Sequence, residues 1–229
     1  MTITTTTLTR ASAVAAAAAG LLFVAVQVKH PSLDVAFTTT TEWKVRESMK
    51  VLFAALSLAG IAGIYLRQVR KTGVLGLLGY VLFSVGYLAM MGVEVVGAVV
   101  LPSIAHSSPG YVTDVLAVAT GGHPAGDVGL MQLLSAVMAI GFLGGGLLFG
   151  IALFRARVLA RWAAALLAVG AVATLAIPLL PQVNFRLFAI PTGIALIGLG
   201  YSLWRDQRTP AARPVPSSAG SPLDPAAVR

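Results

Sequence analysis

The residue in this sequence that most clearly could do chemistry is Glu94, an acid well inside a long apolar run. An ionisable side chain within a membrane segment is costly, so it commonly serves a ligand or a proton. Tyr80, Tyr87 and Glu94 are spaced by seven residues, which places them on one face of a helix. Ser84 lies between them on that face. This polar stripe predicts a ligand-binding or proton-handling surface.

The depth of Glu94 in the membrane bears on this prediction. Glu94 lies 20 residues after Val74, where the apolar run begins, and ~20 residues cross the hydrocarbon core. We therefore expect Glu94 near the outer boundary of the membrane. The alternative to a ligand site is a polar face turned toward the interior of a helix bundle. In that case Glu94 would pair with Arg46 or Lys50 of the preceding helix.

Two outer segments repeat a pattern in which histidine and proline precede an aspartate. They supply four weak candidates for metal ligands, which are His30, Asp34, His123 and Asp127. Imidazole and carboxylate groups bind zinc and other transition metals. However, the proline and glycine in these segments favour turns, and Asp127 is also a natural N-cap for the helix that follows. The alternative is therefore ordinary boundary chemistry, and we predict no metal site.

Several classes of chemistry are excluded by what the sequence lacks. There is no cysteine, which excludes disulfides and thiolate ligands. There is no phosphate-binding loop, no Gly-x-Ser-x-Gly and no His-Glu-x-x-His. We expect no cofactor, and no catalytic residue is assigned.

The composition is that of a membrane protein, since hydrophobic residues are 57% and charged residues 10% of the 229 residues. Soluble domains carry roughly 25% charged residues. The fold class is predicted to be all-α, a polytopic bundle of six transmembrane helices. The predicted spans are 11–28, 51–66, 74–101, 128–154, 162–180 and 187–204. A short extra helix is expected at 111–120, in the outer loop between the third and fourth spans.

The ends of these spans carry further signals. A cleaved signal peptide is the alternative for the first span. The second helix is predicted to begin near 38–41, with Thr39 and Glu42 at capping-box spacing and Trp43 as an interfacial anchor. Pro191 is expected to kink the sixth helix. Residues 1–10 are predicted to be a cytoplasmic tail, 11–204 the transmembrane domain, and 205–229 a disordered cytoplasmic tail.

The cations are distributed unequally over the two predicted sides. The side that would hold both termini has 11 cations and 2 acids, whereas the other has 5 cations and 6 acids. Because cation-rich loops stay in the cytoplasm, we predict a multi-pass protein of the cell membrane with both termini cytoplasmic. This topology and the anionic inner leaflet explain the net charge of +8. The predicted partner is thus the lipid bilayer, and no nucleic acid is expected.

Small residues recur at the spacing that lets membrane helices approach closely. In the fourth span these residues are Gly141, Gly145, Gly146 and Gly150. Packing within one chain is one interpretation of them. A homodimer through the fourth span is the other.

The stretch 148–162 carries a basic turn followed by Trp162. It resembles the junction of the fourth and fifth helices in small bacterial six-helix membrane proteins of domain-of-unknown-function families. The composition, rich in alanine, valine and arginine, is similar to that of actinobacterial members. The resemblance covers roughly the helical part and implies a fold of six helices. It implies no activity and no catalytic residues.

Three functions remain open from the sequence. The first is a membrane protein that binds or passes a small apolar or weakly charged ligand through an outward-facing pocket lined by the polar stripe. The second is a membrane-embedded enzyme that acts on a lipid or isoprenoid at the outer leaflet. The third is a structural or accessory subunit that works through helix contacts.

Overall fold

The computed structural model describes residues 4–28, 33–175 and 185–207. Every regular element within these ranges is helical, which confirms the all-α prediction there. The α-helices are α1 (Thr5–Gln27), α2 (Val35–Thr38), α3 (Thr41–Val95), α4 (Leu101–Ile104), α5 (Pro109–Ala119), α6 (Met131–Ala156), α7 (Arg161–Ala173) and α8 (Ile190–Asp206). A π-helix, Val96–Val100, joins α3 to α4, and a 3-10 helix, Phe185–Ala189, leads into α8.

Four helices among the described residues are long and apolar enough to cross a membrane. They are Thr5–Gln27, Thr41–Ile104, Met131–Ala156 and Leu187–Asp206. The predicted count of six is therefore wrong, for two physical reasons. The second and third predicted spans belong to one helical element, Thr41–Ile104, which turns back on itself. The described helix of the fifth predicted span, α7, has only 13 residues, and 176–180 lie outside the described residues.

The long element Thr41–Ile104 is a hairpin. Its 64 residues would extend ~96 Å as a straight helix, about three times the thickness of a hydrocarbon core. The helix instead breaks at Gln68 (φ −132°, ψ 19°) and Gly73 (φ 59°, ψ −158°). A positive φ is easily adopted by glycine because it has no Cβ. Tyr65 and Tyr80 on either side of the turn stack at 4.6 Å between ring centroids. We call 41–67 the first arm of α3 and 74–95 the second arm.

The helical segments form a ring in which each runs antiparallel to its sequence neighbours. The order is first arm, second arm, α6, α7, α8 and α1, and α1 returns to the first arm. Five of these contacts place a glycine against its partner helix, which are Gly86 with Phe142, Gly150 with Ala168, Gly170 with Thr192, Gly200 with Ala13, and Gly60 with Ala16. An added Cβ at these glycines would lie 2.5–2.8 Å from the partner's atoms. Close backbone approach therefore holds the bundle together, as expected where lipid removes the hydrophobic drive between helices.

The four glycines predicted as a packing motif in the fourth span all face helices of the same chain. Gly141 and Gly145 lie against the second arm of α3, at Gly86 and Phe83 respectively. Gly146 and Gly150 lie against α7. This is the arrangement expected of packing within one chain. A homodimer through this helix stays a prediction.

The centre of the ring is filled by aromatic side chains. Phe83 and Tyr87 of the second arm are fully buried, with ring centroids 4.6 Å apart. Phe53 of the first arm and Phe142 of α6 pack on Tyr87 at 5.5 and 5.8 Å, both in edge-to-face geometry. This is the arrangement that the ring quadrupoles favour. The aromatic cluster closes the middle of the bundle and separates its two ends.

One end of the bundle collects the start of α1, the turn of the α3 hairpin, the turn between α6 and α7, and the end of α8. Arg67 pairs there with Asp206, and the backbone N–H of Ala160 donates to Ser202 Oγ at 2.9 Å. We call this the basic end. The opposite end, which we call the outer-loop end, holds α2, the π-helix and α5, with Trp43, Val112 and Leu116 in a second apolar cluster.

The boundaries of several elements differ from the predictions. Thr40, not Thr39, caps α3 through Oγ1, which accepts from Trp43 N. Trp43 is buried rather than interfacial, and Asp127 accepts from Gly129 N in a turn while Leu130 precedes α6. Pro191 lies in the first turn of α8, where the missing N–H costs nothing, so it does not kink the helix. Residues 208–229 of the predicted tail lie outside the described residues.

Candidate functional site

Two carboxylates and one lysine meet at the outer-loop end of the α3 hairpin. Lys50 Nζ lies 2.6 Å from Glu47 Oε1 and 3.3 Å from Glu94 Oε2. Both carboxylates thus contact the same ammonium group. We call these three residues the carboxylate cluster. It joins the two arms of the hairpin near their ends.

The cluster is largely withdrawn from the surface. The side chain of Glu47 is 4% exposed, and those of Lys50 and Glu94 are 17% and 16% exposed. Buried charges of this kind are stable only when they are paired and hydrogen bonded. Glu47 is thus the interior member, and the exposed edge of the cluster is formed by the other two.

The register of the first arm explains why Glu47 and Lys50 point inward. They continue a stripe with alternating steps of three and four residues along the helix, formed by Trp43, Glu47, Lys50, Ala54, Ser57 and Ile61. This spacing keeps side chains on one face of a helix that packs along a neighbour. The second arm faces that stripe in antiparallel register, which brings Glu94 opposite Lys50.

The π-helix makes room for the buried carboxylate. It begins directly after α3 and contains Gly97, which faces Glu47. Trp43 Nε1 donates to the carbonyl oxygen of Gly97 at 2.8 Å, which fixes the π-helix to the first arm. Short π-helical insertions are frequent at functional sites, because they re-aim the backbone locally.

A second set of polar groups flanks the cluster on the side of α1. Arg46 Nε lies 2.9 Å from Glu42 Oε1, and Arg46 Nη1 reaches the carbonyl oxygens of Val26 and Val28 at 3.4 Å each. Gln27 lies between these two carbonyls and is 7% exposed. Its Oε1 has no hydrogen-bond partner among the described residues. Arg46 thus links the first arm of α3 to the end of α1.

The four residues of the predicted stripe lie in different surroundings. Tyr80 stacks on Tyr65, and Ser84 Oγ donates to the carbonyl oxygen of Tyr80 in its own helix at 2.8 Å. Tyr87 is fully buried in the aromatic cluster, where its hydroxyl faces Ser57 outside hydrogen-bond geometry. Of the four predicted residues, the structure places only Glu94 in the carboxylate cluster. Of the two candidate partners, Lys50 contacts it directly.

The weak metal-ligand candidates are not brought together in the described part of the chain, which contains no group of three metal-ligating side chains. Asp34 Oδ1 caps α2 by accepting from Phe37 N at 2.7 Å. Asp127 closes a turn, as described above. His30 lies outside the described residues. Asp34 and Asp127 thus do the boundary chemistry that was the alternative explanation.

Sequence reasoning missed two acids. Glu47 is not among the candidates of the sequence analysis, although its place in the stripe of Trp43 and Ala54 is a signal that it faces the interior. Asp114 of α5 accepts from Ala125 N at 2.8 Å and from Gly126 N at 3.0 Å. This contact holds the loop after α5 in place, and the sequence carries no local signal for it.

The charge balance of the cluster defines what it can do. Two carboxylates and one ammonium leave one negative charge, and the neighbouring pair Arg46–Glu42 is neutral. A buried site with an excess negative charge attracts a proton or a small cation.

No protein-family model, curated protein or solved structure matches this chain.

Proposed function

We propose that this protein is a multi-pass membrane protein that binds a proton or a small inorganic cation at the carboxylate cluster, from the side of its outer-loop end. The observation that carries the proposal is the contact of Glu47 and Glu94 around a single Lys50. An ionisable group inside a membrane bundle is expensive to keep unless it serves binding or transfer. The ligand would supply the positive charge that the cluster lacks.

The burial of the cluster sets the size of the ligand. Glu47 is buried, and its carboxylate lies between Gly97 of the π-helix and the ammonium of Lys50. A larger molecule would reach it only if the helices separated. A proton or a monovalent ion can enter along the exposed edges of Lys50 and Glu94. The proposed ligand is therefore smaller than the apolar or weakly charged molecule expected from the sequence.

The position of the carboxylate cluster along the membrane normal supports access of the ligand from one face of the membrane. Glu94 lies 21 residues after Gly73, a rise of ~31 Å, about the thickness of the hydrocarbon core. The cluster is therefore one membrane thickness away from the hairpin turn. Each arm of the hairpin would cross the membrane once, so the single element Thr41–Ile104 contributes two crossings.

The charges at the two ends support an orientation. The basic end carries Arg67, Arg70, Lys71, Arg155, Arg157, Arg161 and Arg205. The outer-loop end holds most of the acids. Under the rule that cation-rich loops stay in the cytoplasm, we place the basic end and both termini in the cytoplasm of a cell membrane. The carboxylate cluster then faces the outside.

The test is infrared difference spectroscopy of the purified full-length protein during a pH titration. A protonated carboxyl group has a C=O stretching band that a carboxylate lacks, so the difference between the wild-type titration and that of a cluster variant reports proton binding at the cluster. We expect Glu47→Gln and Glu94→Gln each to remove the part of this band that the cluster contributes. The matched control is Glu42→Gln on the same helix, whose native side chain is 55% exposed and belongs to the pair with Arg46.

Cation binding is separated from proton binding by titrating sodium or potassium chloride at fixed pH, with choline chloride as the control for ionic strength. An inorganic cation that binds the cluster displaces the proton. It therefore lowers the intensity of the carboxyl band in the wild type but not in Glu94→Gln. Carboxyl bands that are the same in the wild type and in both cluster variants, in the pH titration and in the salt titration, would refute the proposed function.

A further inference from the structure

The turn between α6 and α7 forms a cavity that is open to the surface at the basic end of the bundle. Its volume is about 430 Å³, and it is lined by Phe154, Arg155, Arg157 and Arg161. Three of the four lining residues are thus arginines. We call this the arginine cavity. It lies at the opposite end of the molecule from the carboxylate cluster.

The backbone of the turn is fixed in an unusual conformation. Arg157 has φ 56° and ψ 28°, and among the described residues it is the one non-glycine residue with a positive φ. The left-handed conformation ends α6 and turns the chain toward α7. The hydrogen bond from Ala160 N to Ser202 Oγ fastens the turn to α8. The cavity is therefore held by three helices rather than by a loose loop.

The guanidinium of Arg161 is also positioned. Its central carbon lies 4.1 Å from the centroid of the Phe154 ring, a stacked cation–π contact. This contact leaves the N–H groups at the edge of the guanidinium available to an anion. Arg161 is also the first residue of α7, whose N-terminus has no side-chain cap. The positive end of this helix adds to the charge of the cavity.

No acid neutralises these arginines within residues 4–28, 33–175 and 185–207. The ion pairs there join Arg46 with Glu42, Lys50 with Glu47 and Glu94, and Arg67 with Asp206. Arg155, Arg157 and Arg161 thus bring three positive charges to one cavity without a negative one. Guanidinium groups match the oxygens of a phosphate in charge and in geometry.

We propose that the arginine cavity binds the phosphate group of an anionic phospholipid. The apolar surface beside it favours a lipid over a free ion. Trp162 and Val169 of α7 are seven residues apart on one face and are 58% and 64% exposed. Acyl chains would lie along that face while the phosphate occupies the cavity. The proposal is independent of the carboxylate cluster.

The experiment titrates the purified full-length protein in neutral detergent, at constant ionic strength, and follows tryptophan fluorescence. The probes are short-chain phosphatidylglycerol, short-chain phosphatidylcholine and inorganic phosphate. We expect phosphatidylglycerol to bind at least fivefold more tightly than phosphatidylcholine, since an anionic surface gains roughly this factor per cation. Inorganic phosphate should compete only weakly.

The variants separate the cavity from general electrostatics. Arg157→Asn removes the charge but keeps a residue that tolerates a positive φ. Arg161→Gln removes a second charge without changing the backbone. Each substitution should weaken the binding of phosphatidylglycerol about fivefold and leave the binding of phosphatidylcholine unchanged. Arg70→Gln is the matched control, because Arg70 is an exposed cation of the same end outside the cavity.

Three outcomes would overturn the proposal. The first is an equal loss of affinity in Arg70→Gln, which would show a diffuse electrostatic attraction. The second is equal affinity for the two lipids. The third is inorganic phosphate binding as tightly as phosphatidylglycerol, which would assign the cavity to free phosphate instead of a lipid.

Discussion

The carboxylate of Glu47 occupies the space in which Gly97 lacks a side chain. A Cβ on Gly97 would lie 2.8 Å from Glu47 Oε2, closer than real Cβ contacts allow. The two residues are 50 positions apart in the sequence, and the hairpin of α3 brings them together. Glycine at this position of the π-helix thus leaves room for the carboxyl group that the partner arm buries against it.

The first prediction is that Gly97→Ala displaces the Glu47 carboxylate without unfolding the protein. The new methyl group meets the end of a flexible side chain rather than backbone, so the side chain moves first. We expect a changed carboxyl band in the infrared titration, with gel filtration unaltered. Gly92→Ala is the control, since its Cβ would meet only Leu134 at 3.5 Å. A carboxyl band identical to that of the wild type in Gly97→Ala would contradict the close contact.

The second prediction concerns the lysine that joins the carboxylates. Lys50→Met leaves Glu47 and Glu94 facing each other without a cation, and breaking a buried ion pair costs up to about 3 kcal/mol at a partly exposed site. We expect a lower thermal unfolding midpoint. The double variant Lys50→Met with Glu47→Gln should recover much of this loss, because it removes one of the two charges. Additive effects of the two substitutions would show that these side chains do not interact.

The third prediction tests close packing between α6 and the second arm of α3. Gly145 lies against the backbone of Phe83, so Gly145→Ala forces the two helices apart. This substitution should lower the free energy of unfolding by about 1–3 kcal/mol. Gly144 is its neighbour, and a Cβ there meets the side-chain tip of Leu82 at 3.1 Å. Gly144→Ala should therefore be tolerated. The measurement is the thermal unfolding midpoint in detergent, and equal shifts in the two variants would exclude backbone contact as the cause.

The fourth prediction tests whether the α3 hairpin crosses the membrane twice. The chain has no cysteine, so single-cysteine variants can be labelled without background. A membrane-impermeant maleimide added to intact cells should label Ser107→Cys but label Arg70→Cys only after the cells are opened. Both positions are exposed in the structure. Labelling of Arg70→Cys in intact cells would place the hairpin turn outside and overturn the orientation.

Much of the architecture was predictable because its signals are local. Apolar length and the absence of charge give helices that favour a bilayer, and the excess of arginine marks one end of them. The number of spans was not predictable in this way. Gln68 and Gly73 turn α3 back within a continuous helical element, and α7 is shorter than its apolar segment suggests.

The same distinction between local signals and tertiary contacts holds for the candidate site. The sequence by itself determined that Glu94 is an isolated acid in an apolar run and that Arg46 and Lys50 are cations of the preceding helix, because residue type and predicted depth depend only on the local chain. The tertiary structure decided that Glu47 is the buried partner, that Lys50 joins it to Glu94, and that Gly97 leaves it room. These contacts follow from the register between two antiparallel arms. Register depends on packing across the bundle, and no local pattern of residues specifies it.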